Sequence, residues 1–163
     1  MAAPARWWRA GGLSAVAALL GTVGLAAQTS EDSSALRWAP VPPILPLGAQ
    51  IAVVSGDPTT TGMTMIELIM PDGYRMPPHS HPVDEHVQVL EGALLVGPGD
   101  KLDAGHTMRA EVGDTGTAPA GAHHYTIADG MTRVRVTFMG PYTITYLHAW
   151  QAPRRSAFPY ASP

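Results

Sequence analysis

From Ile51 to His148 apolar and polar residues alternate in short runs, and each run is closed by a glycine or proline turn. A period of two is the signature of half-buried strands. Ile51–Val54 reads as a short strand, Gly56-Asp57-Pro58 as a turn, and Gly62–Met70 as a longer strand. With Glu67 facing water, Thr64, Ile66, Leu68 and Met70 face the core, and Met63, Met65 and Ile69 share the outer face with Glu67. An apolar outer face of that kind suits a dimer interface or a covering segment. Val87 and Val89 alternate with His86 and Gln88, Glu91-Gly92 signals a turn, and Ala93–Val96 starts a new run. Gly97–Asp100 is a turn, Lys101–Gly105 an exposed loop, and His106–Val112 a strand with His106 in solvent. Tyr125–Ala128 is a strand, Asp129-Gly130 a hairpin turn, and Met131–Met139 a strand with Val134, Val136 and Phe138 inward and Arg133, Arg135 and Thr137 outward. Gly140-Pro141 breaks it, and Tyr142–His148 is the last strand.

The ends differ in character. Arg6 and Arg9, the uncharged run Ala10–Ala27 and the polar segment from Gln28 have the three parts of an export signal. The alternative is an uncleaved membrane anchor. Cleavage would start the mature chain between Ala27 and Ser30. Leu36–Pro46 carries Pro40, Pro42, Pro43 and Pro46 among Trp38, Val41, Ile44 and Leu45, which predicts an extended arm lying on the barrel or on a neighbouring subunit.

Composition narrows the function. The 163 residues suffice for one domain with a sizeable core. Seventeen glycines and 16 prolines fit many short strands joined by tight turns. The net charge of -3 leaves no basic footprint for nucleic acid. Without Arg6 and Arg9, 8 basic side chains stand against 13 acidic ones, a net charge of -5. The absence of cysteine excludes disulfides, thiolate catalysis and thiolate metal ligands.

The candidate chemistry lies between Gly73 and Gly92. Pro77-Pro78 keeps the approach extended, and on a strand His79 and His81, two apart, face one point. Strict alternation brings Glu85 to the same face. Two imidazoles and a carboxylate form a ligand set for Zn, Fe, Mn or Ni. A fourth ligand lies downstream, where the tight turn Pro119-Ala120-Gly121 delivers His123 and His124 to the start of a strand, and only one of the two can face inward.

The spacing of both stretches resembles the cupin superfamily. Gly73, five residues, His79, one, His81, three, Glu85, six, Gly92 is similar to its first motif. Gly113, five residues, Pro119, one, Gly121, two, His124 is similar to its second, except that Ala128 stands where the family pattern has an asparagine that is not a ligand. The Ser55–Pro58 segment, Ser-Gly-Asp-Pro, resembles a subgroup of small bacterial single-domain cupins. The resemblance implies an all-β single-domain cupin, a double-stranded β-helix or jelly-roll barrel, holding one divalent transition metal (Fe, Mn, Ni or Zn) on His79, His81, Glu85 and His124. The expected organisation is an export signal over residues 1–27, a linker and proline-rich arm over 28–50, the barrel over 51–148 and a proline-rich tail over 149–163.

Four protein ligands leave two positions of an octahedron open. The resemblance to cupins implies a metal-dependent oxidoreductase, dioxygenase-like, acting on a small organic molecule. The alternatives are a non-catalytic binding or sensing cupin with a structural metal, and a metal-dependent isomerase or lyase. Tyr125 beside His124, Tyr146 at the barrel mouth and Arg75 ahead of the first ligand are the candidates for a further catalytic role. Plain core tyrosines and a surface arginine are the competing readings. The expected partners are a small-molecule ligand and a second copy of the chain as a homodimer, with no nucleic acid and no membrane after signal cleavage. The expected location is the periplasm or the cell exterior.

Overall fold

The computed structural model describes Trp8–Arg9 and residues 35–153. The rest of the expected export signal and linker, and residues 154–163 of the tail, lie outside the described residues. Among the described residues no helix is long and apolar enough to cross a membrane.

In chain order the strands are β1 (Trp8–Arg9), β2 (Ala39–Pro40), β3 (Gln50–Ser55), β4 (Gly62–Met70), β5 (Arg75–Ser80), β6 (Glu85–Pro98), β7 (Met108–Glu111), β8 (Thr115–Ala118), β9 (His124–Gly140) and β10 (Thr145–Tyr146). A 3-10 turn, Ala104–His106, precedes β7, so the strand expected from His106 starts two residues later. The last strand is shorter than expected: only Thr145–Tyr146 pairs, on the edge of β5.

All pairings are antiparallel, and two long strands carry the architecture. β6 and β9 pair along their whole length. The first half of β6 also pairs with β8, and its second half with β7. The second half of β9 pairs with β4, and its first half with β5. The strands form one hydrogen-bonded sheet folded into two layers, β1-β8-β6-β9-β4-β3-β2 and β7-β6-β9-β5-β10, and each long strand passes from one layer to the other. This is the expected jelly-roll.

Glu91-Gly92, expected as a turn, and Asp129-Gly130, expected as a hairpin turn, instead lie inside continuous strands. They are the bends at which β6 and β9 change layers. Their registers shift at Val89/Glu91 and Glu91/Ala93, with Ala93 opposite Asp129. Gly92 and Gly130 adopt positive φ, 68° and 76°, the conformation of a bulge that re-aims a strand. A side chain at Gly92 would strike the Met131 carbonyl.

Alternation places the core as expected. Ile66, Met70, Val89, Val134, Val136 and Phe138 are buried in one cluster. Glu67 is the exception. It lies on the outer face of β4 as predicted, but it is 1% exposed. Arg135, its register partner on β9, donates to Oε1 from Nε at 3.1 Å and from Nη2 at 2.8 Å. Arg133 Nε lies 3.9 Å from Oε2. The stems of two arginines thus cover a carboxylate that alternation alone would leave in water. Glu67→Ala should lower stability by about 2 kcal/mol, less than a fully buried ion pair would, because Arg133 and Arg135 keep 19% and 25% exposure and can rehydrate. An unchanged urea midpoint would contradict this.

The arm is part of the barrel. Val41, Leu45 and Ala49 belong to the core cluster. The Tyr74 hydroxyl donates to the Pro46 carbonyl at 2.6 Å, and the Tyr146 hydroxyl to the Ile44 carbonyl at 2.8 Å. Of the two resting places expected for it, the arm takes its own barrel.

Candidate metal centre

Four elements deliver four side chains. β5 carries His79, the chain just past its end carries His81, β6 begins with Glu85, and β9 begins with His124. His79 and His124 are register partners across β5 and β9. Glu85 does not arrive by simple alternation from His81. Residues 82–84 turn, and β6 starts afresh at Glu85 in the neighbouring layer. Two hydrogen bonds tie this turn to the one before His124: Gly121 N–H donates to the His81 carbonyl at 2.7 Å, and Ala120 N–H to the Asp84 carboxylate Oδ1 at 2.8 Å. Gly121, at φ 74°, makes that turn.

One ligand atom from each of the four residues lies within 4.8 Å of the others, and all four residues are buried. The ring centroids of His79 are 4.9 Å from His81 and 4.3 Å from His124. Each imidazole is held through Nδ1: His79 on the Pro77 carbonyl at 2.7 Å, His81 on the Thr143 carbonyl at 3.0 Å, His124 on the Ala122 carbonyl at 3.1 Å. A carbonyl only accepts, so each Nδ1 carries the proton and each Nε2 presents a lone pair. His81 Nε2 is buried without a hydrogen bond although Glu85 Oε2 is 2.7 Å away. The two atoms lie close but do not point at each other, as donors aimed at a common third atom would. Three imidazoles held through Nδ1 and a carboxylate fit a divalent transition metal, whose ligands must be neutral imidazole and ionised carboxylate.

The electrostatics favour those protonation states at His79, His124 and Glu85 and oppose the neutral state at His81. Burial, then the neighbouring imidazoles of His124 and His81, pushes His79 down to about 3. Burial also lowers His124. Burial alone would raise the Glu85 carboxyl, but the surrounding imidazoles, His81 foremost, outweigh it and hold Glu85 at about 2. His81 is also opposed by burial, and its contact with Glu85 raises it.

Without a metal these groups set how stability varies with pH. Above pH 6.5 His79 is neutral folded and unfolded. Below it the unfolded chain binds a proton that the buried ring refuses until about pH 3, so stability falls with acidification across that window. His124 acts in the same direction, and Glu85 adds a loss only as pH falls from 4.5 through about 2. His81 acts oppositely: its contribution is complete below 6.5 and is lost as pH rises through its raised value. From pH 6.5 to 5, His79 alone should remove about 2 kcal/mol. Urea melts of metal-free protein at those two values check this, and equal midpoints would show that His79 is not held neutral.

The site opens into a cavity of about 60 Å³, room for about four waters. His79, Glu85 and His124 line it beside apolar side chains that include Leu45, Met76, Val87 and Val136. Tyr142 also lines it and was not singled out by its sequence. Its ring stacks on His81 at 5.1 Å and 27°, and its hydroxyl donates to Glu85 Oε1 at 3.4 Å. Burial, then the Glu85 charge, raises its pKa well above the ordinary value, so it stays protonated. Parity is the signal that finds it: Val134, Val136 and Phe138 point inward, and the same even series reaches Tyr142 beyond the Gly140-Pro141 break.

The other candidates separate. His123 is exposed and holds Asp100 Oδ1 at 2.6 Å, which leaves His124 as the inward histidine. Tyr125 points to the other face of its strand, where its hydroxyl donates to the Asp103 carbonyl at 2.8 Å and its ring fills the space a side chain at Gly97 would need. It is a packing residue of that loop. Arg75 is exposed. The register shift between Met76 and His79, at Pro77-Pro78, turns Met76 inward and leaves Arg75 outside. Tyr146 lies beside His79, ring centroids 5.9 Å apart, with its hydroxyl engaged on the arm. His86 and His106 are exposed and bonded to Thr117 and Asp103.

Fold and site define a small antiparallel jelly-roll with a three-imidazole, one-carboxylate donor set in its interior. The cupin-domain family profile matches residues 65–140, which hold all four donors. That segment of the chain is a cupin domain. No curated protein matches the sequence. Among solved structures, a candidate acetylacetone dioxygenase from Methylibium petroleiphilum is similar over 85% of this chain and 89% of its own, at 16% identity and TM-score 0.57. KdgF from a Halomonas species is similar over 63% and 84%, at 24% identity and TM-score 0.50. The polyketide cyclase RemF from Streptomyces resistomycificus is similar over 61% and 71%, at 19% identity and TM-score 0.51. At these identities the likeness is one of fold, and the two named activities, a dioxygenase and a polyketide cyclase, differ.

Proposed function

We propose that this cupin is a metal-dependent oxidoreductase of the dioxygenase type, acting on a small, uncharged oxygen-bearing molecule such as an enol or β-dicarbonyl compound. The observation that carries the reading is a four-donor set opening into a cavity with apolar walls, in which Glu85, itself a donor, is the one carboxylate. The bound metal supplies a redox-capable Lewis acid at the cavity wall. The chain's own residues do the rest. Apolar walls exclude water and strengthen the electrostatics inside. Tyr142, kept protonated, donates to Glu85 Oε1 and leaves Oε2 for the metal. The same hydroxyl borders the cavity and can hold a substrate oxygen.

Anaerobic reconstitution with Fe(II), followed by oxygen-electrode assays on a panel of small enols, β-dicarbonyls and organic acids, tests the reading. Substrate-dependent oxygen uptake that vanishes in metal-free protein is expected. Product without oxygen uptake would identify an isomerase or lyase instead. The small, apolar cavity also favours a second reading, a binding cupin whose metal stabilises the barrel. A metal-replete protein inert to the whole panel would select it.

Export of the chain is supported by the charged start, the apolar run and the polar segment after it. The mature chain would then begin between Ala27 and Ser30 and work in the periplasm or outside the cell. N-terminal sequencing of protein from its native host tests this, and a cytoplasmic chain beginning at Met1 or Ala2 would refute it. A homodimer is supported by Met63 and Met139, register partners left exposed on the outer face of β4 and β9. Sedimentation at micromolar concentration tests that, and a monomer would refute it.

A further inference from the structure

We infer that Leu45, on the arm, sets the length of molecule the metal cavity accepts. This rests on the reading of the four donors as a metal site with open positions. Leu45 is 1% exposed and lines the same cavity as His79, Glu85 and His124, although it is 34 residues away from the nearest of them in sequence. Its position is clamped on both sides. The carbonyls of its two chain neighbours, Ile44 and Pro46, accept the buried or half-buried hydroxyls of Tyr146 and Tyr74 at 2.8 and 2.6 Å. Its own N–H donates to the Pro42 carbonyl at 2.9 Å, closing a turn between prolines. A side chain held at three consecutive residues is a fixed wall. Tyr146 also lies against His79, so one side chain ties the wall to the site.

The cavity's chemistry then names the class of occupant. Beyond the donors its lining offers the hydroxyls of Tyr142, Thr117 and Thr126 and no cation. A ligand that fits has one end with oxygen atoms for the metal and Tyr142, and a short, uncharged aliphatic body that stops at Leu45.

The test uses the full chain loaded with Co(II) and a series of straight-chain alkyl hydroxamates, read by the cobalt absorption spectrum. These probes bind the metal without turnover, so the result stands apart from whether the protein consumes oxygen. Affinity should rise by about fourfold per CH2 while the chain is still entering apolar space, and then fall at a cut-off length. Leu45→Ala, which removes three side-chain carbons, should move the cut-off outward by about two CH2 groups and bind the next longer probes about tenfold more tightly. Leu45→Phe should move it inward, which keeps the idea testable if the smaller variant fails to fold. Leu47→Ala is the control on the same arm, since Leu47 is 84% exposed, and it should leave the cut-off unchanged. An identical cut-off in wild type, Leu45→Ala and Leu45→Phe would overturn the inference. So would an equal shift in Leu47→Ala, or hydroxamates that leave the cobalt spectrum of every protein untouched.

Discussion

His81→Ala should strip the site of its metal, while His123→Ala, one residue from a ligand, should keep it. His81 Nε2 sits 2.7 Å from Glu85 Oε2 and has no hydrogen bond of its own, so its lone pair is free for a metal. His123 spends Nδ1 on Asp100 at the surface. Loss of a partner behind a ligand commonly weakens metal binding by about 10–100-fold, and loss of the ligand itself should do at least as much. Metal analysis after dialysis reads the outcome: near one equivalent in wild type and His123→Ala, and a small fraction in His81→Ala. Full content in His81→Ala would sink the site. The same protein gives a second reading, because a ligand that binds only the folded barrel stabilises it. At free metal about 100 times the dissociation constant the gain is about 2.7 kcal/mol. Chelation should lower the melting temperature of wild type and leave that of His81→Ala nearly unchanged.

Phe138→Ala should be the costliest single change in the core, about 3–5 kcal/mol. Phe138 is 1% exposed near the C-terminal end of β9, opposite Glu85 on β6. Its ring meets that of Tyr142 at 4.4 Å, and Tyr142 in turn stacks on His81. Removing it leaves a hole beneath the site, since the flanking strands are paired along their length and cannot collapse freely into it. A urea melt should show the loss of stability, and metal titration should show weaker binding in the molecules that remain folded. A loss below about 1 kcal/mol would mean that the barrel relaxes around the gap, contrary to close packing. Unchanged metal affinity would mean that Tyr142 holds its place without that support.

How much the sequence revealed depends on the range of each effect. Strand parity is local, because adjacent side chains on a strand must point to opposite faces. It therefore placed Ile66, Met70, Val134, Val136 and Phe138 in the core, put His79 and His81 on one point, and bounded β4 at Gly62 and Met70. The choice of His124 over His123 came from the motif resemblance, and the hydrogen bond of His123 to Asp100 agrees with it.

Tertiary structure decided whatever depended on a distant partner. Glycine after an acidic residue permits both a hairpin and a bulge. Only the pairing of β6 with β9 made Gly92 and Gly130 bends in two continuous strands. Glu67 has a polar side chain on an outer face, and its burial required two arginines from β9. Tyr125 and Tyr146 looked alike near the ligands, but one is spent on the loop at Asp103 and the other on the arm. Tyr142 and Leu45 came to the site from beyond the strand break at Gly140-Pro141 and from a proline-rich arm. A local pattern says which face a side chain takes, whereas what lies against that face is set by chain closure over tens of residues, which no period of two encodes.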